Sequence, residues 1–150
     1  MRVVIQRVKH AQVAINGKIR SQIKTGLLVL LGITHDDNEA DADWLVQKIS
    51  KMRVFDDESG VMNRSVVDID GEVLVVSQFT LMAASQKGNR PSYIRAARPE
   101  HAKPLYEYFI AQLNECLNHP VGTGEFGADM QVTLLNDGPV TILMDTHNKE

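Results

Sequence analysis

Ser77-Gln78-Phe79-Thr80 places two hydroxyls and a carboxamide directly after the apolar run Val73-Leu74-Val75-Val76. Functional groups tend to collect at strand ends and in the loops beyond them. Backbone N–H groups leaving a sheet there could line an oxyanion hole, the feature that ester hydrolysis needs. The same residues could instead only satisfy backbone groups at the end of a strand, and on sequence physics alone that plainer role is favoured. A second group lies in residues 86–103. Lys87, Arg90, Arg95, Arg98 and Lys103 face a single acid, Glu100, an excess of four positive charges inside a chain of net charge -3. A local excess of this kind can bind phosphates even on an acidic protein. A solvated basic loop accounts for it equally well. The third, Asn136-Asp137-Gly138-Pro139, reads as a tight turn between two strands, and its Gly-Pro bond is compatible with either isomer.

Other chemistries are disfavoured. Gly122-Thr123-Gly124-Glu125-Phe126-Gly127 matches the dinucleotide fingerprint G-x-G-x-x-G. That fingerprint works only after a strand and at the opening of a helix, where pyrophosphate meets the helix N-terminus. Here it follows a helix and Pro120 and precedes a strand, so a flexible connector is expected. His10, His35, His101, His119 and His147 are nowhere at metal-ligand spacing, and none is assigned a catalytic role. No G-x-S-x-G elbow marks a hydrolase serine. The single cysteine, Cys116, excludes an internal disulfide and a cysteine-based zinc site. Neither metal nor cofactor is expected.

The elements that must carry these groups follow from periodicity. Residues 3–15 roughly alternate and end in Asn16-Gly17, which suits a type I′ hairpin turn because both central residues need positive φ. A return strand over 18–23 follows. Leu27-Leu28-Val29-Leu30-Leu31 is apolar without alternation and reads as a central strand covered on both faces. Asp36, Asp37, Glu39, Asp41 and Asp43 open a helix at its positive end, with Leu45, Ile49 and Met52 on one face and Trp44 beside them in a packing role. A strand pair is expected around Asp70-Gly71, its second member being Val73-Leu74-Val75-Val76. Residues 82–98 show no period. Leu105, Tyr108, Phe109, Leu113, Cys116 and Leu117 mark a second amphipathic helix, with Pro104 in its first turn or kinking it. Two alternating strands, Met130-Val132-Leu134 and Val140-Ile142-Met144, flank the Asn136 turn. About seven strands and two helices predict a single α/β domain over 1–150, a mixed curled or barrel-like sheet carrying two main amphipathic helices. No apolar run approaches a membrane span, and the N-terminus lacks a secretory signal, so a soluble cytoplasmic protein is expected.

Together these segments resemble the D-aminoacyl-tRNA deacylase family, nearly end to end. The resemblance is carried by Gln6-Arg7-Val8, Gly26-Leu27-Leu28-Val29-Leu30-Leu31-Gly32, Met62-Asn63, Lys87-Gly88-Asn89-Arg90-Pro91-Ser92 and Gly124-Glu125-Phe126-Gly127-Ala128. The two diagnostic motifs are Ser77-Gln78-Phe79-Thr80-Leu81 and Asn136-Asp137-Gly138-Pro139-Val140-Thr141. The resemblance implies a homodimer with active sites at the subunit interface and aminoacylated tRNA as substrate. It implies a catalytic pocket of Ser77, Gln78, Phe79 and Thr80 around the terminal adenosine and the ester. Phe126, Met130, Lys87 and Arg90 would contact the substrate. Gly138-Pro139, with a cis bond, would enter the partner's pocket and exclude L side chains, and the 2′-hydroxyl of the terminal ribose would assist water attack. An RNA-binding protein without enzymatic activity, or a small-ester hydrolase using Thr80 as nucleophile, are the competing readings of the same residues.

Overall fold

One long strand, β1 (Arg2–Ile15), organises the computed structural model, which describes residues 1–150. Along one edge its first half pairs antiparallel with β3 (Gly26–Gly32) and its second half with β2 (Lys18–Ile23). Along the other edge it pairs antiparallel with β8 (Gln131–Asp145) over almost its whole length. The β1–β2 hairpin closes as expected, Asn16 and Gly17 having φ of 51° and 76°.

β6 (Glu72–Ser77) lies parallel to β3, and the two-residue β7 (Gly122–Thr123) lies parallel to β6. The sheet therefore runs β2-β1-β3-β6-β7, and its two end strands come back against each other without pairing, leaving a nearly closed barrel. β4 (Phe55–Asp56) and β5 (Met62–Arg64) form a separate antiparallel pair. The segment before β6 is thus a series of turns through Asp70, at φ 54°, and not the first arm of a hairpin with β6. β6 is buried on both faces and finds parallel partners on either side, whereas the polar, exposed β5 has nothing to bury there.

The apolar runs in β3 and β6 serve two cores. Leu27, Val29, Leu31, Val73 and Val75 face the helices, while Leu28, Leu74 and Val76 point into the barrel with Val8, Val13 and Ile23. Both helices pack on the outer face. α1 (Glu39–Lys51) starts from a capping box in which Asn38 and Asp41 satisfy each other's backbone donors, and it buries Leu45 and Ile49 completely. Trp44 packs against the same core, with the Lys48 and Lys149 ammonium groups over its ring.

α2 (Pro99–Cys116) begins before the apolar face starts. Pro99 takes the first helical position, so Pro104 is inside the helix and not in its first turn. The backbone bond lost there is set against the complete burial of Phe109 and Leu113 and the near-complete burial of Leu105 and Tyr106. Residues 83–98, although aperiodic, are tied down at two backbone bridges, Ala84 to Ser92 and Thr34 to Ala96.

Candidate active site

The chain leaves β6 at Ser77 and continues the ladder for one more bond, Gln78 N–H to the Leu31 carbonyl at 2.7 Å. It then folds into a 3₁₀ turn, Phe79–Met82. The leading N–H groups of such a turn, those of Phe79 and Thr80, have no acceptor within it. The Gln78 carboxamide donates to the Thr80 hydroxyl at 2.5 Å.

Two features fix the turn from behind. Gly32 leaves no room for a side chain: a Cβ there would stand 2.9 Å from Leu81 Cβ and 3.0 Å from the Gln78 carbonyl. Arg2, gripped by Asp145 Oδ2 through Nε at 3.0 Å and Nη2 at 2.7 Å, donates from Nη1 to the Leu81 carbonyl at 2.7 Å. Burial would raise the Asp145 carboxyl, but hydrogen bonds from Arg2 and the His147 N–H, with the Arg2 charge, hold it below the usual carboxylate range.

Ser77, Gln78 and Phe79 line a cleft of about 510 Å³. Phe126 and Met130 line it too, so five of the residues singled out from sequence meet in one place. Gly124 explains how Met130 gets there, since a Cβ on residue 124 would stand 2.3 Å from the Met130 sulfur. Phe126 leans on Tyr106 with ring centroids 5.8 Å apart. The Tyr106 hydroxyl donates to the Val75 carbonyl at 3.1 Å, and burial pushes this phenol up to about 12, so it stays neutral. Phe79 is 57% exposed at the rim and meets Tyr93 edge-on, centroids 5.2 Å apart. Asp129 is the only ionisable side chain on the lining, which is otherwise mostly hydrophobic. No histidine, lysine or cysteine reaches the cleft, so no side-chain triad can be assembled there.

Gly138 and Pro139 are absent from this cleft. They are not a turn between two strands, because the residues on both sides of them belong to the single strand β8. Gln6 of β1 faces Thr141 and Val8 faces Asn136, so β8 spends five residues where β1 spends two and throws the excess outward as a loop. Asn136 closes the neck, donating to the Arg7 carbonyl at 3.0 Å and the Val140 carbonyl at 3.1 Å while accepting from Gln6 at 3.1 Å. The Gly138-Pro139 bond at the exposed tip is cis, with Gly138 at φ 114°. Beneath it lies Arg7, buried, which donates to the Val54 carbonyl at 2.6 Å and pairs with the Asp137 carboxylate at 3.2 Å.

The basic segment is dispersed. Lys87 and Arg90 sit in the exposed loop closed by the Ala84–Ser92 bridge. Arg95 borders a separate cavity beside Arg2, and Lys103 projects from α2 beside yet another. The Gly122-Thr123 part of the glycine-rich segment is sheet, not connector, because β6 offers it a parallel edge. Arg7 and Gly32 fall in segments that carry the family resemblance but had no role assigned from sequence, and Arg2 was not singled out there. Arg7 carried a legible signal, a charged residue two positions after Ile5 and four after Val3, on the strand face that those two residues make apolar.

Asp37, Asp41 and His147 bring potential ligand atoms within 4.8 Å of one another. The Asp37 carboxylate there is already engaged by the Met1 ammonium, the Thr34 N–H and His147 Nε2, so its lone pairs are committed within the protein. No helix is long and apolar enough to cross a membrane.

The D-Tyr-tRNA(Tyr) deacylase family model matches residues 4–145. The chain is 62% identical over 150 residues to a D-aminoacyl-tRNA deacylase of Porphyromonas gingivalis and 59% identical to one of Bacteroides thetaiotaomicron, each alignment covering 100% of both chains. A solved structure of the c-Myc DNA Unwinding Element Binding Protein superposes with a TM-score of 0.92 at 42% identity, covering 97% of this chain and 99% of that one.

Proposed function

The chain belongs to the D-Tyr-tRNA(Tyr) deacylase family, whose members are hydrolases, and on that premise we propose that it removes D-amino acids from tRNA by hydrolysing the ester to the terminal ribose. The observation that carries this reading is the apolar cleft at the exit of β6, bordered by the 3₁₀ turn that begins at Phe79 and carrying Asp129 as its one ionisable side chain. Water adds to the ester carbonyl, and the oxyanion that forms is met by the Phe79 and Thr80 N–H groups. A donor of this kind contributes roughly 10²–10³ in rate. The tetrahedral species expels the ribose 3′-oxygen, which takes up a proton, and the products are the free D-amino acid and tRNA. As the family resemblance implies, the 2′-hydroxyl of the terminal ribose assists the attacking water, and the cleft lining has no histidine, lysine or cysteine to do so. Ser77, Gln78, Phe79 and Thr80 surround the terminal adenosine and the ester, Phe126 and Met130 contact the substrate, and Lys87 and Arg90 hold the tRNA backbone.

The gate is supplied by a second copy of the chain. Gly138 and Pro139 are exposed at the tip of a braced loop and do not line the ester cleft of their own chain. In a homodimer the tip of one subunit enters the cleft of the other and fills the space an L side chain would need. Such a gate rejects by collision and grips nothing. Glycine, having no side chain, therefore passes it. The enzyme would act in the cytoplasm, where aminoacyl-tRNA is used.

The test is ester loss from matched D-tyrosyl-, L-tyrosyl-, glycyl- and L-alanyl-tRNA. D-Tyrosyl- and glycyl-tRNA are expected to be hydrolysed and both L substrates spared. Rejection of L-alanine beyond the ~10–200-fold that a pocket can achieve over one methyl would mark a rigid wall. Sparing of D-tyrosyl-tRNA would end the deacylase reading. Sparing of glycyl-tRNA alone would end exclusion as the basis of selectivity.

A further inference from the structure

The barrel fails to close where β2 and β7 meet beneath α2, and the seam is a second cavity of about 360 Å³. Arg20 of β2, Thr123 of β7 and Lys103 and Tyr106 of α2 line it. Phe126 belongs both to this seam and to the ester cleft, so the two cavities adjoin across one aromatic ring. Glu107 and Glu125 also reach the seam, yet neither Arg20 nor Lys103 enters an ion pair with them or with any other carboxylate. Both cations are exposed and uncommitted.

We propose that this seam holds a phosphodiester of the tRNA 3′ strand, next to the nucleoside that carries the ester, through Arg20, Lys103 and the Thr123 hydroxyl. The inference rests on the deacylase reading and adds the direction from which the substrate strand arrives. The chemistry fits a nucleotide: two cations for the phosphate, a hydroxyl donor, and the half-buried Phe126 ring beside them. Tyr106 stays neutral, its hydroxyl already spent on the Val75 carbonyl, and so does not repel the phosphate. The two glutamates keep the seam from attracting polyanions at large. A weak site suffices for a strand whose end is already captured in the cleft, because the second contact is then made at high effective concentration. Lys103 thus acts apart from Lys87 and Arg90, which lie in a different loop.

The test compares wild type, Arg20→Ala/Lys103→Ala and the charge-keeping Arg20→Lys/Lys103→Arg. The substrates are D-tyrosyl-tRNA and D-tyrosyl-adenosine, which retains the ester and terminal nucleoside but has no phosphate. The alanine pair should raise KM for D-tyrosyl-tRNA roughly tenfold, the equivalent of one lost charge-assisted contact. It should also flatten the dependence of log KM on log salt by about 0.7, the value for one phosphate of a single strand. D-Tyrosyl-adenosine should be cleaved as by wild type, and the charge-keeping pair should restore KM for the tRNA. An unchanged KM and salt slope on D-tyrosyl-tRNA would overturn the proposal, as would an equal loss on both substrates. Should D-tyrosyl-adenosine prove inert even with wild type, the salt slope on D-tyrosyl-tRNA decides alone. If wild type spares D-tyrosyl-tRNA as well, the deacylase reading itself falls.

Discussion

Replacing Arg7 by methionine tests whether the Gly138-Pro139 loop is held rigid by its own subunit. The side chain is 10% exposed and methionine keeps most of its volume, so the loss is of hydrogen bonds and charge without a large cavity. The bond to the buried Val54 carbonyl, at 2.6 Å, is charge-assisted, and removing it leaves that carbonyl without this donor. Its loss costs about 1.5–3 kcal/mol. The pair with Asp137, a carboxylate 26% exposed, adds at most about 1 kcal/mol. The contact to the more exposed Asp56, at 3.4 Å, adds nothing measurable. A total of about 3 kcal/mol lowers Tm by roughly 6–12 °C in a domain of this size. The same substitution takes the buried partner from Asp137, next to Gly138, leaving it only the exposed Lys9 ammonium at 3.4 Å, and keeps the Asn136 neck intact. Discrimination between D- and L-tyrosyl-tRNA should therefore shrink more than the rate on the D substrate does. Thermal unfolding followed by circular dichroism gives the first quantity, and paired deacylation time courses give the second. A Tm within about 2 °C of wild type together with an unchanged D-to-L ratio would refute the argument that Arg7 braces the loop.

Thr80→Ala should keep substantial activity, because a supporting hydrogen bond to Gln78 is worth far less than the ~10⁶ in kcat that a nucleophile carries; a folded variant as inactive as a nucleophile knockout, in single-turnover assays, would restore Thr80 as the attacking group. Gly32→Ala must push the 3₁₀ turn away from β3, since its Cβ would meet Leu81 Cβ at 2.9 Å, and a displacement approaching 1 Å costs on the order of 10²-fold in kcat. Wild-type kcat from this variant would show that the turn does not position the reacting ester. The depressed Asp145 carboxyl contributes stability that is fully present above its unfolded value and is lost as pH falls through its lower folded value. Asp145→Asn should accordingly be less stable than wild type at neutral pH and show a shallower loss of stability on acidification, read from urea midpoints against pH; parallel curves would contradict the sign.

What residues 1–150 determine by themselves is whatever rests on neighbours in the chain. Asn16-Gly17 dictates the first hairpin because positive φ at two successive positions is a local demand. The uninterrupted apolar runs of β3 and β6 announce strands covered on both faces because burial there leaves no polar side to show. Ser77-Gln78-Phe79 was legible as a candidate for the same kind of reason, an abrupt change of residue type at the end of such a run, whereas Phe126 and Met130 were candidates only through the family resemblance. Partner choice was not legible. The alternation on either side of Asn136-Asp137-Gly138-Pro139 is the same whether the chain reverses or runs on, and only the pairing of both flanks with β1 makes it one strand with a loop thrown outward. Met62-Asn63-Arg64 pairs with Phe55-Asp56 and leaves β6 to parallel partners for a similar reason, since a strand's edge can be satisfied from many places in the chain and packing decides which. Pro104 entered the helix interior because the face formed by Leu105, Phe109 and Leu113 outweighs one missing backbone bond, a comparison that needs the opposing core to exist. The cleft is of this second kind: its walls come from β3, the exit of β6, the start of α2 and the approach to β8, and only the closing of the barrel brings them face to face.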